Sequence, residues 1–240
     1  MQKFIHGTAS VWKKEEGGTV LFVFLVVNLF LVPFLRAWFP VLAPASSVAL
    51  VLLFVVGVLV VFPSPWAKLG ACLFAGSATA LELARLIGGG DPFGPWRVGA
   101  TCATIALFTV VTLFRVFAPG PVSTHRLVGA AAAYLLVGLT WALAYEWLEL
   151  VRPGSLQAGP NPAEGAYPAT LYFSFVTLTT VGYGEILPVS QQARALANLE
   201  SLIGVLYPAV LIGRLLSMHG TAGFPPSVSG PGATSAPPPV

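Results

Sequence analysis

Six long, nearly charge-free stretches of apolar residues constrain this chain more than any other feature of its sequence. A helix needs about 20 apolar residues, each rising about 1.5 Å, to cross the hydrocarbon of a bilayer. Charged residues make up only 9% of the chain, against about 25% in an average soluble domain. We therefore predict an all-α membrane protein with six transmembrane helices. The predicted spans are 19–35, 46–62, 67–87, 98–117, 126–148 and 193–216.

The composition also excludes several classes of protein. A mean hydropathy of +0.82 and a net charge of only +3 argue against a disordered chain, a nucleic-acid-binding protein and an ordinary cytosolic enzyme. Cys72 and Cys102 lie inside apolar runs, which favours small buried side chains over a metal site or a disulfide. No nucleophile with its base, phosphate-binding loop or metal-ligand cluster is recognisable, so we predict neither enzymatic activity nor a cofactor.

The charges in the third and fourth predicted spans are few and isolated. The fourth has no arginine between Arg97 and Arg115, which lie at its two ends as interfacial anchors would. A voltage-sensing helix carries several regularly spaced arginines, so conventional voltage gating is not predicted. Glu82 and Arg85 in the third span are three residues apart, and we expect them to pair with each other or with another span.

Between the fifth and sixth spans lies a shorter apolar stretch, followed by a polar loop with two glycines. This stretch is too short to cross the membrane, and it predicts a re-entrant helix whose following loop faces a pore. Pro168 suits the first turn of this helix, which we expect to end at Leu178 or Thr179. The carboxyl end of such a helix carries the negative end of its dipole, which favours a cation nearby.

Residues 177–184 of the loop read TLTTVGYG, which resembles the T-x-x-T-x-G-Y-G signature of tetrameric potassium channels. The resemblance implies a homotetramer in which four copies of the loop form a selectivity filter. It implies that K+ is bound by backbone carbonyl oxygens and one threonine hydroxyl. The implied filter residues are Thr180, Val181, Gly182, Tyr183 and Gly184. The carbonyls of the first four would bind the ion, and Thr180 would also supply the hydroxyl. Glycines 182 and 184 would let successive carbonyls point the same way.

Five residues within or beside this signature are expected to support the filter. They are Thr177, Thr179, Glu185, Tyr172 and Phe173. Glu185 stands where the family usually has Asp, and Tyr172 and Phe173 stand where many relatives carry a pair of tryptophans. Acidic residues at positions 146, 149, 164 and 185 form either a ring that concentrates cations or an ordinary solvated rim; the sequence leaves both readings open.

The sixth span carries three candidate hinge positions, Gly204, Pro208 and Gly213. Pro208 removes a helical hydrogen bond and is expected to bend the helix near an inner gate. The alternative is that the small residues only permit close packing between helices. Glu200, one turn before Gly204, is an ionisable residue at membrane depth, and we expect it to brace the short helix from behind.

Together these features predict a potassium-selective channel for passive K+ flux, with K+ as the permeant ion. The predicted segments are a cytoplasmic amino-terminal region (1–18), a four-span peripheral bundle (19–121), a pore domain (122–219) and a disordered tail rich in Pro, Gly and Ser (220–240). The expected partners are the bilayer and three identical subunits, with no nucleic acid and no identifiable soluble partner. A bacterial inner membrane, with the amino terminus inside, is the expected location. The alternatives are a weakly selective cation channel and a non-conducting scaffold or regulatory subunit.

Overall fold

The structure is a computed structural model that describes residues 17–35, 38–39, 73, 76–82, 84–85, 93–118, 124–158 and 166–220. The second predicted span, 46–62, lies outside these residues. The third, 67–87, is described only in part, and its described residues are helical. The predicted amino-terminal segment and the tail lie almost entirely outside the described residues.

The described chain is mostly helical. Helix α1 (Gly17–Val26) continues through a π-helical segment (Val27–Leu31) into a last α-helical turn (Val32–Leu35). The later helices are α2 (Gly94–Val116), α3 (Thr124–Val151), α4 (Ala166–Leu178) and α5 (Gln191–Gly220).

Four helical segments among the described residues are long and apolar enough to cross a membrane. They are Gly18–Leu35, Gly94–Val116, Thr124–Val151 and Gln191–Arg214. Each overlaps a predicted span: the first, fourth, fifth and sixth. The chain is therefore a multi-pass membrane protein. Helix α4 is shorter, which confirms the predicted short apolar helix between the last two spans.

Helix α3 lies at the centre of the described fold and packs against α1, α2 and α4. Its amino-terminal half is rich in alanine, and the fully buried Ala132 and Ala133 let neighbouring helices approach closely. Leu136 and Leu139 follow on the same helix and are also fully buried. Leucines spaced four apart on α1, among them Leu25, complete this core against α2 and α3.

Two short strands, which the sequence did not indicate, accompany the helices of this all-α fold. Strand β1 (Leu156–Ala158) pairs antiparallel with β2 (Ile186–Pro188), with Gln157 opposite Leu187. The carbonyl oxygen of Ser155 extends the connection by accepting hydrogen bonds from the N–H groups of Val189 (2.8 Å) and Ser190 (3.2 Å). The segment after α3 is thereby fastened to the segment that leads into α5.

An ion-paired cluster links the third predicted span to α2. The carboxylate of Glu82 accepts hydrogen bonds from Arg85 (2.6 Å) and Arg97 (3.0 Å), and its side chain is almost fully buried. The predicted pairing of Glu82 with Arg85 is confirmed. The sequence predicts Arg97 only as an interfacial anchor. In the structure it also joins α2 to the third predicted span, because its guanidinium neutralises the buried carboxylate of Glu82.

Candidate functional site

Helix α4 and the loop after it form the candidate site. The helix begins at Ala166, has Pro168 in its first turn and ends at Leu178, as the sequence predicted. Thr170, Ser174 and Leu178, spaced four residues apart, are all nearly or fully buried, and Phe173 lies beside them. This spacing places them on one side of the helix, the side that faces the rest of the chain.

The loop that follows folds back on the carboxyl end of α4. The carbonyl oxygen of Val176 accepts hydrogen bonds from the N–H groups of Val181 (2.9 Å) and Gly182 (3.3 Å). The N–H of Thr180 donates to the carbonyl of Thr177 at 3.0 Å. Carbonyl groups in the last turn of a helix have no partner within the helix, so these bonds satisfy groups that would otherwise be orphaned.

Three residues of the loop have left-handed backbone conformations, at every second position. Gly182 has φ +59° and Gly184 has φ +81°, which agrees with the conformational freedom expected of these glycines. Thr180 also has a positive φ, +61°, and is the only non-glycine residue of the described chain that does. Sequence reasoning missed this, because a β-branched residue disfavours that region and nothing local signals the exception.

The loop is exposed in the single chain. Val181 is 51% exposed and Tyr183 is 68% exposed, although both side chains are large and apolar or aromatic. The face of α5 that includes Leu202, Val205 and Val210 is exposed to a similar extent. The contacts within one chain therefore cover the side of the site that faces α3, and they leave the loop and this face of α5 exposed.

The predicted supporting residues fall into three groups. Tyr172 donates a hydrogen bond to Glu185 at 2.8 Å, which joins α4 to the residue after the glycines. This hydrogen bond raises the pKa of the Tyr172 phenol. Phe173 packs edge-on against Tyr145 of α3, with ring centroids 4.9 Å apart. Thr179 lies directly after α4, and its hydroxyl donates to the carbonyl of Phe175 in that helix (2.6 Å).

The structure corrects the expectation that four acidic residues gather at one rim. Glu146 is 9% exposed and lies within α3, so it is not part of a solvated ring. The carboxylate of Glu149 accepts hydrogen bonds from the N–H groups of Gly154 (2.6 Å) and Leu156 (3.0 Å), which stabilise the turn before β1. Glu164 lies outside the described residues. Glu185 remains at the loop, where it is exposed.

The three candidate hinge positions of α5 have different surroundings. A Cβ atom added at Gly204 would overlap the carbonyl oxygen of Leu178, so the absence of a side chain lets α5 contact the end of α4. For Gly204 this favours the close-packing alternative. A Cβ atom at Gly213 would meet nothing within 4 Å. Helix α5 continues through Pro208 as a single helix, and the hinge at this residue stays a prediction.

Glu200 connects three helices behind the loop. It is fully buried, and its Oε1 lies 2.5 Å from the hydroxyl of Ser174 on α4, while its Oε2 lies 2.7 Å from the hydroxyl of Tyr145 on α3. The expected contact with the short helix is confirmed. Sequence reasoning missed both hydroxyl partners. The available signal was the presence of hydroxyl residues on the neighbouring apolar helices, because an acid at membrane depth usually pairs with a polar group there.

The carboxyl-terminal half of α5 is also anchored, by contacts that the sequence did not indicate. Arg214 donates hydrogen bonds to the carbonyls of Phe117 (2.5 Å) and Ala118 (2.8 Å), which follow the end of α2. Arg126 of α3 donates to the Ala118 carbonyl as well. A cation at the carboxyl end of a helix is favoured by the helix dipole. The end of the fourth predicted span is thereby linked to both of the last two.

Comparison with known proteins agrees with this arrangement. A family model described as "Ion channel" matches residues 131–219, which include most of α3, all of α4 and the loop, and nearly all of α5. The chain is 30% identical over 118 residues to Protein LctB of Bacillus caldotenax, which covers 47% of this chain and 87% of that protein.

Two further relatives are named as potassium channels. The chain is 35% identical over 81 residues to the inward rectifier potassium channel Kirbac3.1 of Paramagnetospirillum magnetotacticum, covering 32% of this chain and 24% of the relative. It is 33% identical over 85 residues to the two pore potassium channel c of Oryza sativa subsp. japonica, covering 35% of this chain and 17% of the relative. The chain thus spans about a quarter of the length of Kirbac3.1.

These matches define an ion channel, which is a class of proteins that are not enzymes. More narrowly, the chain belongs to the pore-loop potassium channel family. The matched region coincides with the region in which the short helix, its loop and the two flanking spans pack together.

Proposed function

We propose that this protein is a potassium-selective channel that conducts K+ passively through a pore made by four identical chains. The observation that carries the proposal is the loop itself: residues 177–184 spell the family signature, and positions 180, 182 and 184 have left-handed backbone conformations. Residues that alternate in this way direct carbonyl groups to one side, and rings of carbonyl oxygens replace the hydration shell of K+ in channels of this kind.

In this proposal the ion-binding groups are the carbonyl oxygens of Thr180, Val181, Gly182 and Tyr183, with the Thr180 hydroxyl at the inner end. Gly184 completes the filter. Two hydrogen bonds keep the loop in place. Tyr172 donates to Glu185, which joins the helix to the segment beyond the loop. The N–H of Thr180 donates to the carbonyl of Thr177 where the loop begins.

The exposure of the site supports a pore made by several chains. One loop supplies one side of a pore, and the Val181 and Tyr183 side chains are exposed in the single chain. The exposed apolar face of α5, which includes Leu202 and Val205, has the composition expected of a surface covered by lipid and by other subunits. Three further copies of the same chain around the pore axis account for both features.

Gating is proposed to occur along α5 and to differ from conventional voltage sensing. Pro208 removes one helical hydrogen bond in the carboxyl-terminal half of α5. A Cβ atom at Gly213, further along the same helix, would meet nothing within 4 Å. Among the described residues of α2, arginines occur only near the ends, as Arg97 and Arg115. We place the protein in a bacterial inner membrane with its amino terminus in the cytoplasm, which fits the larger number of basic residues on that side.

The test is ion flux into liposomes that contain the purified protein. We expect K+ uptake to exceed Na+ uptake by at least tenfold when equal gradients are applied, since an intact carbonyl filter discriminates between these ions. Comparable rates for both ions would indicate a weakly selective cation channel instead. Folded tetramers that conduct neither ion at any membrane potential or pH would support a non-conducting scaffold.

A further inference from the structure

The contacts around Glu200 form an unbroken chain of oxygen atoms from α3 through α4 to α5. The hydroxyl oxygen of Ser174 lies 2.7 Å from the carbonyl oxygen of Gly138 and 2.5 Å from Glu200 Oε1. The hydroxyl of Tyr145 lies 2.7 Å from Glu200 Oε2. All three oxygen–oxygen distances are those of O–H···O hydrogen bonds, and each such bond contains one proton.

Counting the protons decides the state of the carboxyl group. Ser174 and Tyr145 each supply one hydroxyl proton, and the Gly138 carbonyl supplies none. An ionised Glu200 also supplies none, so two protons would have to serve three contacts. A neutral Glu200 supplies the third: its Oε1–H donates to Ser174, Ser174 donates to Gly138, and Tyr145 donates to Oε2. Only this arrangement satisfies every contact.

We infer that Glu200 is a protonated, neutral acid, and that in this form it is the positioning residue that fixes the pore helix α4 between α3 and α5. Ser174 lies one helical turn before Leu178, where α4 ends and the loop begins. A proton on Glu200 therefore holds the helix from which the loop starts. The inference concerns the assembly of these helices and does not depend on which ion the protein conducts.

The surroundings of Glu200 agree with a neutral group. It is fully buried, and within the described part of the chain neither ion pair involves it. From α3, Tyr145 contacts it and Tyr134 lies nearby; from α4 the contacting group is Ser174, which does not titrate. A buried carboxylate without a cation is costly, and a buried carboxyl group relieves that cost by keeping its proton.

Replacement by glutamine distinguishes the two states of the carboxyl group. In Glu200→Gln the amide nitrogen donates to Ser174 as the acid proton does, and the amide oxygen accepts from Tyr145. All three contacts therefore survive, with a proton that cannot be lost. If Glu200 were ionised in the wild type, Ser174 and Tyr145 would both donate to it. In the glutamine variant the amide NH2 group would then face one of these donors instead of an acceptor. Glutamine thus mimics the neutral acid and mismatches the carboxylate.

The first measurement is the infrared difference spectrum between the detergent-solubilised full-length protein and its Glu200→Gln variant. We expect a carboxylic acid C=O band that shifts in D2O and is lost in the variant. Glu82→Gln is the matched control, because Glu82 is also buried but is paired with two arginines, so its replacement should remove a carboxylate band instead. Loss of a carboxylate band and no acid band in Glu200→Gln overturns the inference.

The second measurement is the thermal midpoint of unfolding as a function of pH. The wild-type midpoint should fall as the pH rises and Glu200 loses its proton, whereas Glu200→Gln should retain the neutral-pH midpoint of the wild type over the same range. Glu200→Leu should lower the midpoint at every pH, since Ser174 and Tyr145 lose their partner. A glutamine variant that is destabilised as much as the leucine variant contradicts the inference. Both measurements remain valid if the protein proves not to conduct.

Discussion

The two sides of helix α4 are completed in different ways. Towards α3 and α5, Ser174 and Leu178 are fully buried, and the Ser174 hydroxyl contacts both the Gly138 carbonyl and Glu200. At its carboxyl end the loop with Val181 and Tyr183 is folded but exposed. A single chain thus builds the support of the site, whereas the site itself needs partners. Stability and conduction should therefore respond to different substitutions, and the predictions below test that separation.

The largest effect is expected on conduction from a change in the loop. Gly182→Ala places a side chain at φ +59°, where an L-residue is strained, and we expect K+ flux to fall to background. The chain should still fold, at a cost of about 1–2 kcal/mol of backbone strain, because a Cβ atom at position 182 would meet nothing within 4 Å. The readout is K+ uptake into liposomes.

Gly154→Ala is the matched control for this change. Gly154 has φ +82° and open space around it but lies in the turn before β1. The Gly154→Ala substitution imposes a comparable backbone strain of about 1–2 kcal/mol. This strain lies away from the loop that follows α4, so K+ uptake should persist. Equal loss of uptake in both variants would contradict a specific role for the loop.

The next effect is on stability, from the contact between α5 and the end of α4. In Gly204→Ala the new methyl group overlaps the Leu178 carbonyl, which forces the helices apart. Overpacking of this kind costs about 1–3 kcal/mol in the free energy of unfolding. Chemical denaturation in detergent measures it. Gly213→Ala, on the same helix with nothing within 4 Å, should be neutral or slightly stabilising; similar losses in both would refute the contact.

A smaller loss is expected from Tyr134→Phe. The Tyr134 hydroxyl donates to the Leu178 carbonyl at 3.1 Å, and this bond links α3 to the last residue of α4. Its removal should cost about 1 kcal/mol of unfolding free energy, with K+ selectivity unchanged because the loop keeps its own hydrogen bonds. Denaturation and flux measured on the same preparation test both halves of this expectation. A loss of selectivity without a loss of stability would reverse the assignment.

The smallest effect on stability is expected from Tyr172→Phe at the exposed end of the site. The hydrogen bond to Glu185 is solvent-exposed, so its loss should leave the thermal midpoint almost unchanged while altering the K+ to Na+ flux ratio. This bond raises the pKa of Tyr172, which favours the neutral donor. Because its pKa is raised, Tyr172 should keep its proton through the ordinary range of tyrosine, at about pH 10. The wild-type ratio should therefore hold at that pH and drop only at higher pH; a phenylalanine variant that drops in the same way would exclude Tyr172 as the cause.

The sequence predicted the parts of this fold that depend on local pattern. The limits of α4 follow from Pro168 and from the length of its apolar run, and the described spans follow from hydropathy. The contacts of Glu200 with Tyr145, 55 residues earlier, depend on tertiary packing and could not be read locally. Strands β1 and β2 were missed because three residues each are too few for a pattern.

The charged residues show the same limit. Glu146 and Glu149 belong to one short acidic segment in the sequence, yet one is buried and the other caps a turn. Proximity along a helix does not give the direction of a side chain relative to its neighbours in space. The left-handed conformation of Thr180 is likewise imposed by the hydrogen bonds that close the loop onto Val176 and Thr177, and not by threonine itself.

The most direct test of the account is the thermal stability of the purified protein in K+ compared with Na+, with its subunit number measured in parallel by native mass spectrometry. We predict a tetramer whose thermal midpoint rises with K+ concentration and not with Na+, because an ion that binds only the assembled loops stabilises the assembly. A stable monomer, or a tetramer whose midpoint is the same in both salts, would contradict the claim that the open side of the site is completed by other subunits around K+.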